Sequence, residues 1–175
     1  MATKRVFGKI LLVSLVLGSQ CLLAQEPKQV QGSPGLIGTW KLISFQDRES
    51  ADQEWSYPYG MNPQGYIVYD ATGHVFIQMM RTPASRPFKS GDDKKPTAEE
   101  AKVVYEGYIA YFGTYSVDEA NHVVIHHVEG SLGPSYIGTD QKRPFQLTGD
   151  RLIIGDQKTW IRVSRKSEVI LMQLR

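Results

Sequence analysis

The run His126–Phe145 contains the residues whose types and spacing favour chemistry. A β-strand directs alternate side chains to opposite faces, so His127 and Glu129 share one face of the predicted strand and His126 lies on the other. An imidazole titrates near neutral pH, and burial raises the pKa of a carboxyl group towards the same range. This pair therefore predicts ligand binding or acid–base chemistry wherever its face lines a pocket.

Three further side chains complete the predicted ligand-binding set. Tyr115 lies on the preceding predicted strand, Arg143 lies on the following one, and Tyr136 lies in the connection between strands. An arginine in this position suits a carboxylate or phosphate, which it binds with two parallel hydrogen bonds. The alternative is a purely structural set of polar contacts, because buried polar groups are paired in any case. In that interpretation Glu129 pairs with Arg143, and His127 bonds a neighbouring tyrosine.

No other motif in the chain predicts catalysis or metal binding. The sequence has neither a G-x-S-x-G elbow nor a glycine-rich phosphate loop before a helix. A zinc site needs three or four ligands, whereas His127 and Glu129 supply two. We therefore expect no metal and no cofactor, and His127, Glu129 and Tyr115 are the candidates for a catalytic role.

Short runs rich in aromatic and β-branched residues alternate with Gly, Pro and Asp turns, a pattern typical of antiparallel strands. Strands are predicted at 38–45, 65–69, 74–80, 110–117, 122–129, 142–147, 151–155 and 159–165. Eight antiparallel strands close into a barrel that holds one small ligand. The predicted fold is therefore all-β, an up-and-down barrel of about eight strands with one short helix.

The helix is predicted directly after a proline. Thr97 and Glu100 have the spacing of a capping box, which marks a helix start. Apolar side chains then recur at Ala101, Val104, Tyr105 and Tyr108. We expect this apolar face to pack against the barrel or to close one of its ends.

Residues 1–24 have the pattern of a secretory signal peptide. Basic residues precede an apolar stretch at 10–17, and Ala24 offers a cleavage position. The apolar stretch is too short to span a membrane. A lipid anchor on Cys21 is the alternative, disfavoured by Gln20 immediately before it. The chain is therefore predicted to be exported, as a periplasmic or secreted protein.

Signal cleavage changes the charge of the chain. The 175 residues carry a net charge of +2, and the signal peptide holds three basic and no acidic residues, which leaves −1 for the remainder. A near-neutral chain lacks the electrostatic footprint of a nucleic-acid-binding protein. Residues 25–35 are predicted to form a flexible leader and residues 36–175 a single domain without a stable membrane span.

Four segments of the chain resemble the bacterial and fungal lipocalin-like domain family. They read GTWKLISF, GYIVYDATGH, YIAYFGTYSVDE and HHVEGSLGPSYIGTDQKRPFQLTGDRL, of which the last is the most specific. The resemblance covers residues 36–165 and implies an up-and-down barrel with a lumen, but no particular activity. The start at Trp40 is also similar to the G-x-W of true lipocalins, which implies that Arg162 or Arg165 stacks on the indole.

The predicted function is the binding of a small apolar or amphipathic molecule inside an exported barrel. Two alternatives stay open. One is an enzyme of the isomerase or cyclase type that acts through His127, Glu129 and Tyr115. The other is a filled barrel that serves as an envelope or interaction module.

Overall fold

Eight antiparallel strands follow one another around a closed barrel in chain order, and the last strand pairs with the first. The computed structural model describes residues 35–155 and 159–165. The strands are β1 Gly38–Asp47, β2 Gln64–Tyr69, β3 His74–Met80, β4 Tyr108–Asp118, β5 Val123–Ser131, β6 Asp140–Thr148, β7 Arg151–Gly155 and β8 Thr159–Ser164, with helix α1 at Ala98–Glu106 and a 3-10 turn at Pro134–Tyr136. The predicted barrel of about eight strands with one short helix is confirmed.

The signal peptide predicted at 1–24, with the alternative anchor at Cys21, lies outside the described residues, as do residues 25–34 of the leader. In the part of the chain that the structure describes, no helix is long and apolar enough to cross a membrane.

One end of the barrel is closed around a tryptophan. Trp40 is fully buried at the start of β1, and its Nε1 donates to the Leu36 carbonyl at 2.8 Å. The Arg165 guanidinium lies 4.2 Å from the indole centroid and donates to the Ile37 carbonyl at 2.8 Å. Arg165 is therefore the stacking arginine, while Arg162 is exposed on the outer surface. These contacts close the barrel with apolar surface and satisfied backbone groups.

A β-bulge between β4 and β5 interrupts the alternation of β5 after Val128. Phe112 pairs with Gly130 and Gly113 pairs with Val128, so Glu129 is the extra residue on β5. A Cβ at position 113 would lie 2.0 Å from the His127 carbonyl oxygen, which explains why a glycine occupies this close approach. The Glu129 side chain is exposed on the outer surface, and Ser131, beyond the bulge, lines the interior.

Helix α1 lies at the rim of the barrel rather than in its core. The capping box is present, because Thr97 Oγ1 accepts from the Glu100 amide at 3.3 Å and Glu100 Oε2 accepts from the Thr97 amide at 2.8 Å. No residue of α1 is buried, and Val104 and Tyr105 are 38% and 50% exposed. The apolar face of α1 is therefore not buried against the barrel, and the helix lies at one of its ends, which was the other expectation. Tyr105 and Glu106 instead border the open end.

Candidate functional site

A cavity of about 370 Å³ lies at the open end of the barrel, opposite the Trp40 end. The ends of β1, β3 and β5 and the starts of β4, β6 and β8 surround it, together with α1 and the 3-10 turn. Its lining is mainly aromatic and aliphatic, and includes Phe45, Tyr59, Met79, Tyr108, Ile109, Tyr111, Tyr136 and Ile161. A volume of this size suits one small organic molecule.

Pairs of aromatic rings form the walls of this cavity. Phe45 and Tyr59 pack edge to face with centroids 4.9 Å apart, and Tyr111 and Tyr136 lie 5.8 Å apart with a tilt of 46°. Such pairs hold one another in place and expose further ring surface to a ligand. The arrangement is therefore suited to a flat apolar group.

A buried histidine connects the cavity to the barrel core. His126 is 1% exposed, and its Nδ1 is hydrogen-bonded to the Tyr111 hydroxyl at 2.9 Å. Its Nε2 is hydrogen-bonded to the Tyr69 hydroxyl at 2.8 Å. Burial raises the pKa of both tyrosines, so both phenols stay protonated at physiological pH. Of the three residues, Tyr111 alone lines the cavity.

The His126 imidazole is neutral over the physiological range. Burial, together with the smaller effect of the nearby Arg143 charge, lowers the pKa of His126 to about 3. A neutral imidazole has one donor nitrogen and one acceptor nitrogen, which matches its two hydroxyl partners.

This depressed pKa predicts that the protein loses stability as the pH falls. Between pH 7 and pH 5 an unfolded chain protonates His126 while the folded chain does not, so the free energy of unfolding should fall by roughly 2 kcal/mol. Urea unfolding at a series of pH values measures this change. In His126→Gln the fall over the same window should be smaller by that amount. An identical pH dependence of both proteins would contradict the assignment.

The cavity also contains an arginine. Arg143 on β6 is half-buried, and its Nη2 donates to Gln141 Oε1 at 3.3 Å. Its guanidinium lies beside the Tyr111 hydroxyl and lowers the pKa of that phenol, against the larger effect of burial. The ion pair between Glu129 and Arg143 that the structural interpretation expected is not formed, because Glu129 lies outside the barrel and Arg143 borders the cavity.

His127 lies on the outer surface with Glu129. Its Nδ1 is hydrogen-bonded to Asp140 Oδ1 at 2.7 Å and its Nε2 to the Ser116 hydroxyl at 2.9 Å, with 39% of the side chain exposed. The expectation that His127 and Glu129 face the interior is therefore wrong, as is the expected tyrosine partner. The buried set of β5 is Val124, His126 and Val128, because the more apolar face of a strand packs inwards.

Tyr115 faces the interior, but at a distance from the cavity lining. Its hydroxyl donates to the Asp70 carbonyl at 3.1 Å, and its ring packs edge-on against Tyr69 with centroids 4.9 Å apart. The three candidates for catalysis, His127, Glu129 and Tyr115, are thus not brought together. Over residues 35–155 and 159–165 no three potential metal ligands of the His, Cys, Asp or Glu types form a group.

Two of the predicted binding residues, Tyr136 and Arg143, line the cavity. Tyr111 also lines it, and the sequence interpretation missed this residue. His126 and Tyr69, which support Tyr111, were also missed as a functional group. The available signal was the position of His126 between two valines on one face of its strand.

Comparison with known proteins identifies a family and a relative. A family model described as a lipocalin-like domain matches residues 37–174. The 4'-hydroxy-3'-methoxypropiophenone carrier protein of Aspergillus oryzae is 35% identical over 81 residues. That alignment covers 43% of this chain and 72% of the fungal protein.

Proposed function

Because this chain belongs to the lipocalin-like domain family, we propose that it is a carrier for one small aromatic or amphipathic molecule. The observation that carries the proposal is the cavity of about 370 Å³ at the open end of the barrel. Buried side chains fill the other end of the described barrel around Trp40, and the cavity lies at the open end. A mostly apolar cavity with a few polar groups is the usual form of a small-molecule site.

The similarity to a fungal carrier protein supports this proposal. That relative is named for a ligand that combines an aromatic ring with a ketone and a hydroxyl group. The cavity of the present chain has aromatic walls at Tyr59 and Tyr136 and hydrogen-bond donors at Tyr111 and Arg143. A ligand with a flat ring and polar substituents suits both features.

Binding is tested with protein purified from its own host. We expect native mass spectrometry to show one co-purifying small molecule per chain, lost on denaturation. The stripped protein should bind the apolar dye N-phenyl-1-naphthylamine in a one-to-one complex, measured by its fluorescence. An empty protein that also fails to bind the dye would contradict the proposal and favour an interaction module.

Export is part of the same proposal. The signal-like pattern of residues 1–24 supports a mature chain that begins at Gln25. The mass and N-terminal sequence of the protein from its host test this. A chain that begins at an acylated Cys21 would favour the lipid anchor, and an intact Met1 would contradict export.

A further inference from the structure

Two hydrogen-bond donors, Arg143 and Tyr111, line the cavity side by side. The Arg143 guanidinium carries five N–H groups and no acceptor. None of the ion pairs among the described residues includes it. The Gln141 and Tyr111 oxygens compensate the half-buried Arg143 guanidinium only in part, because neither carries a charge, and a ligand oxygen would add to this compensation.

The two carboxylates of the cavity do not neutralise Arg143. Asp47 Oδ1 accepts from the Thr159 hydroxyl at 2.9 Å, and Glu106 lies 3.9 Å from the Lys102 ammonium group. Both residues belong to the rim, at the end of β1 and the end of α1. The Asp47 and Glu106 carboxylates therefore lie at the entrance of the cavity, and the Arg143 guanidinium lies further inside.

The hydrogen bonds of His126 determine the direction of the Tyr111 hydroxyl. With a proton on Nε2, the Tyr69 oxygen would accept a hydrogen bond from Nε2–H, and the Tyr69 hydroxyl would need an acceptor elsewhere. Tyr69 is fully buried, and His126 is its hydrogen-bond partner in the described part of the chain. A buried donor without an acceptor is costly. The proton therefore lies on Nδ1, so Tyr69 donates to Nε2 and His126 donates to the Tyr111 oxygen.

In this arrangement the Tyr111 hydroxyl can donate a hydrogen bond into the cavity. Tyr111 accepts from His126 Nδ1, and the neighbouring Arg143 offers donors only. The Tyr136 hydroxyl is also nearby, but among the described residues no hydrogen bond joins it to Tyr111. Unlike Tyr69, Tyr111 borders the cavity, so its hydroxyl can donate a hydrogen bond to an acceptor on a ligand. Tyr111 and Arg143 thus present convergent donors to one position.

We infer that the ligand is a flat aromatic molecule with an oxygen acceptor, a ketone or a carboxylate, bound with that oxygen towards Tyr111 and Arg143. The inference rests on the proposed carrier function and specifies its ligand class. The ring packs between the aromatic walls at Phe45, Tyr59 and Tyr136. Tyr69 is a positioning residue, which acts on the ligand through His126.

Three naphthalene probes test the ligand class by equilibrium dialysis with the full-length protein. 2-Acetonaphthone, 2-naphthoate and 2-ethylnaphthalene share one ring system and differ in the substituent. Both oxygenated probes should bind at least tenfold more tightly than the hydrocarbon, although the hydrocarbon is the most apolar. Tighter binding of the naphthoate identifies a carboxylate ligand, and tighter binding of the ketone identifies a neutral one. Equal affinity of all three overturns the inference but leaves the carrier function, whereas no binding of any probe overturns both.

Two variants remove the donors. Tyr111→Phe and Arg143→Met keep most of the side-chain volume, and each should lower the affinity for the oxygenated probes by at least fivefold. The affinity for 2-ethylnaphthalene should stay within twofold of the wild type. A parallel loss for all three probes would show a general packing defect and overturn the donor role.

A matched pair of buried tyrosines tests the positioning role. In Tyr69→Phe the His126 proton can move to Nε2, so Tyr111 can donate to Nδ1 instead of to the ligand. The preference for 2-acetonaphthone over 2-ethylnaphthalene should fall at least threefold. Tyr115→Phe also removes one buried hydroxyl, whose partner is the Asp70 carbonyl, and should leave the preference unchanged. Equal behaviour of the two variants overturns the role of Tyr69.

Nitrogen NMR of the histidine-labelled wild type tests the same role without a substitution. The ring nitrogen shifts of His126 distinguish the two neutral forms. A proton on Nδ1 supports the direction assigned to Tyr111, and a proton on Nε2 overturns it.

Discussion

Replacing Trp40 with alanine is expected to lower the free energy of unfolding by about 3–5 kcal/mol, the range for large aromatic residues in a core. The indole is fully buried at the closed end of the barrel. Its loss leaves a cavity, removes the donor to the Leu36 carbonyl and exposes one face of the Arg165 guanidinium. Urea unfolding followed by circular dichroism measures the change.

The control is the same substitution at a partly exposed tryptophan. Trp55 lies against the Arg48 guanidinium at 4.2 Å and against the Trp160 ring at 6.2 Å, outside the barrel core. Trp55→Ala should cost about 1 kcal/mol or less, because partly exposed contacts of this kind are weak. Equal losses at Trp40 and Trp55 would contradict the role of Trp40 as the closure of the barrel.

Filling the cavity is expected to weaken ligand binding by at least tenfold, or about 1.4 kcal/mol. Met79 on β3 is 3% exposed and lines the cavity, so Met79→Trp places an indole in the space that a ligand would occupy. Equilibrium dialysis with 2-acetonaphthone measures the affinity. Thermal unfolding of the variant establishes that the barrel is intact.

An outward-facing position provides the control for the added indole. Gln146 on β6 is exposed, so Gln146→Trp adds the same side chain to the outer surface. The affinity for 2-acetonaphthone should then equal that of the wild type. Unchanged affinity in a folded Met79→Trp protein would place the binding site elsewhere.

The strands could be predicted from the sequence because their signals are local. Alternating side chains and turn residues between them define each strand, and β3 and β7 have the predicted bounds, His74–Met80 and Arg151–Gly155. The start of α1 could also be predicted from a local signal, because one capping box specifies it. Whether its apolar side chains are buried depends on the distance between the helix and the barrel, and no local pattern contains that distance.

The candidate site depended on relationships that a single strand does not contain. The strand pattern placed His127 and Glu129 together correctly, but not on the side of the barrel that they face. Val124 and Val128 share a strand face with His126, and this apolar face was the signal for which side is buried. The contact between Tyr69 and His126 joins residues 57 positions apart across the barrel interior, so it required the closed topology.

A crystal structure of the complex with 2-acetonaphthone tests the central claim most directly. The naphthalene should lie in the cavity at the open end of the barrel, beside Tyr136 and Met79. Its carbonyl oxygen should lie about 3 Å from both the Tyr111 hydroxyl and the Arg143 guanidinium. A probe bound on the outer surface of the strands, with an empty cavity, would contradict the account.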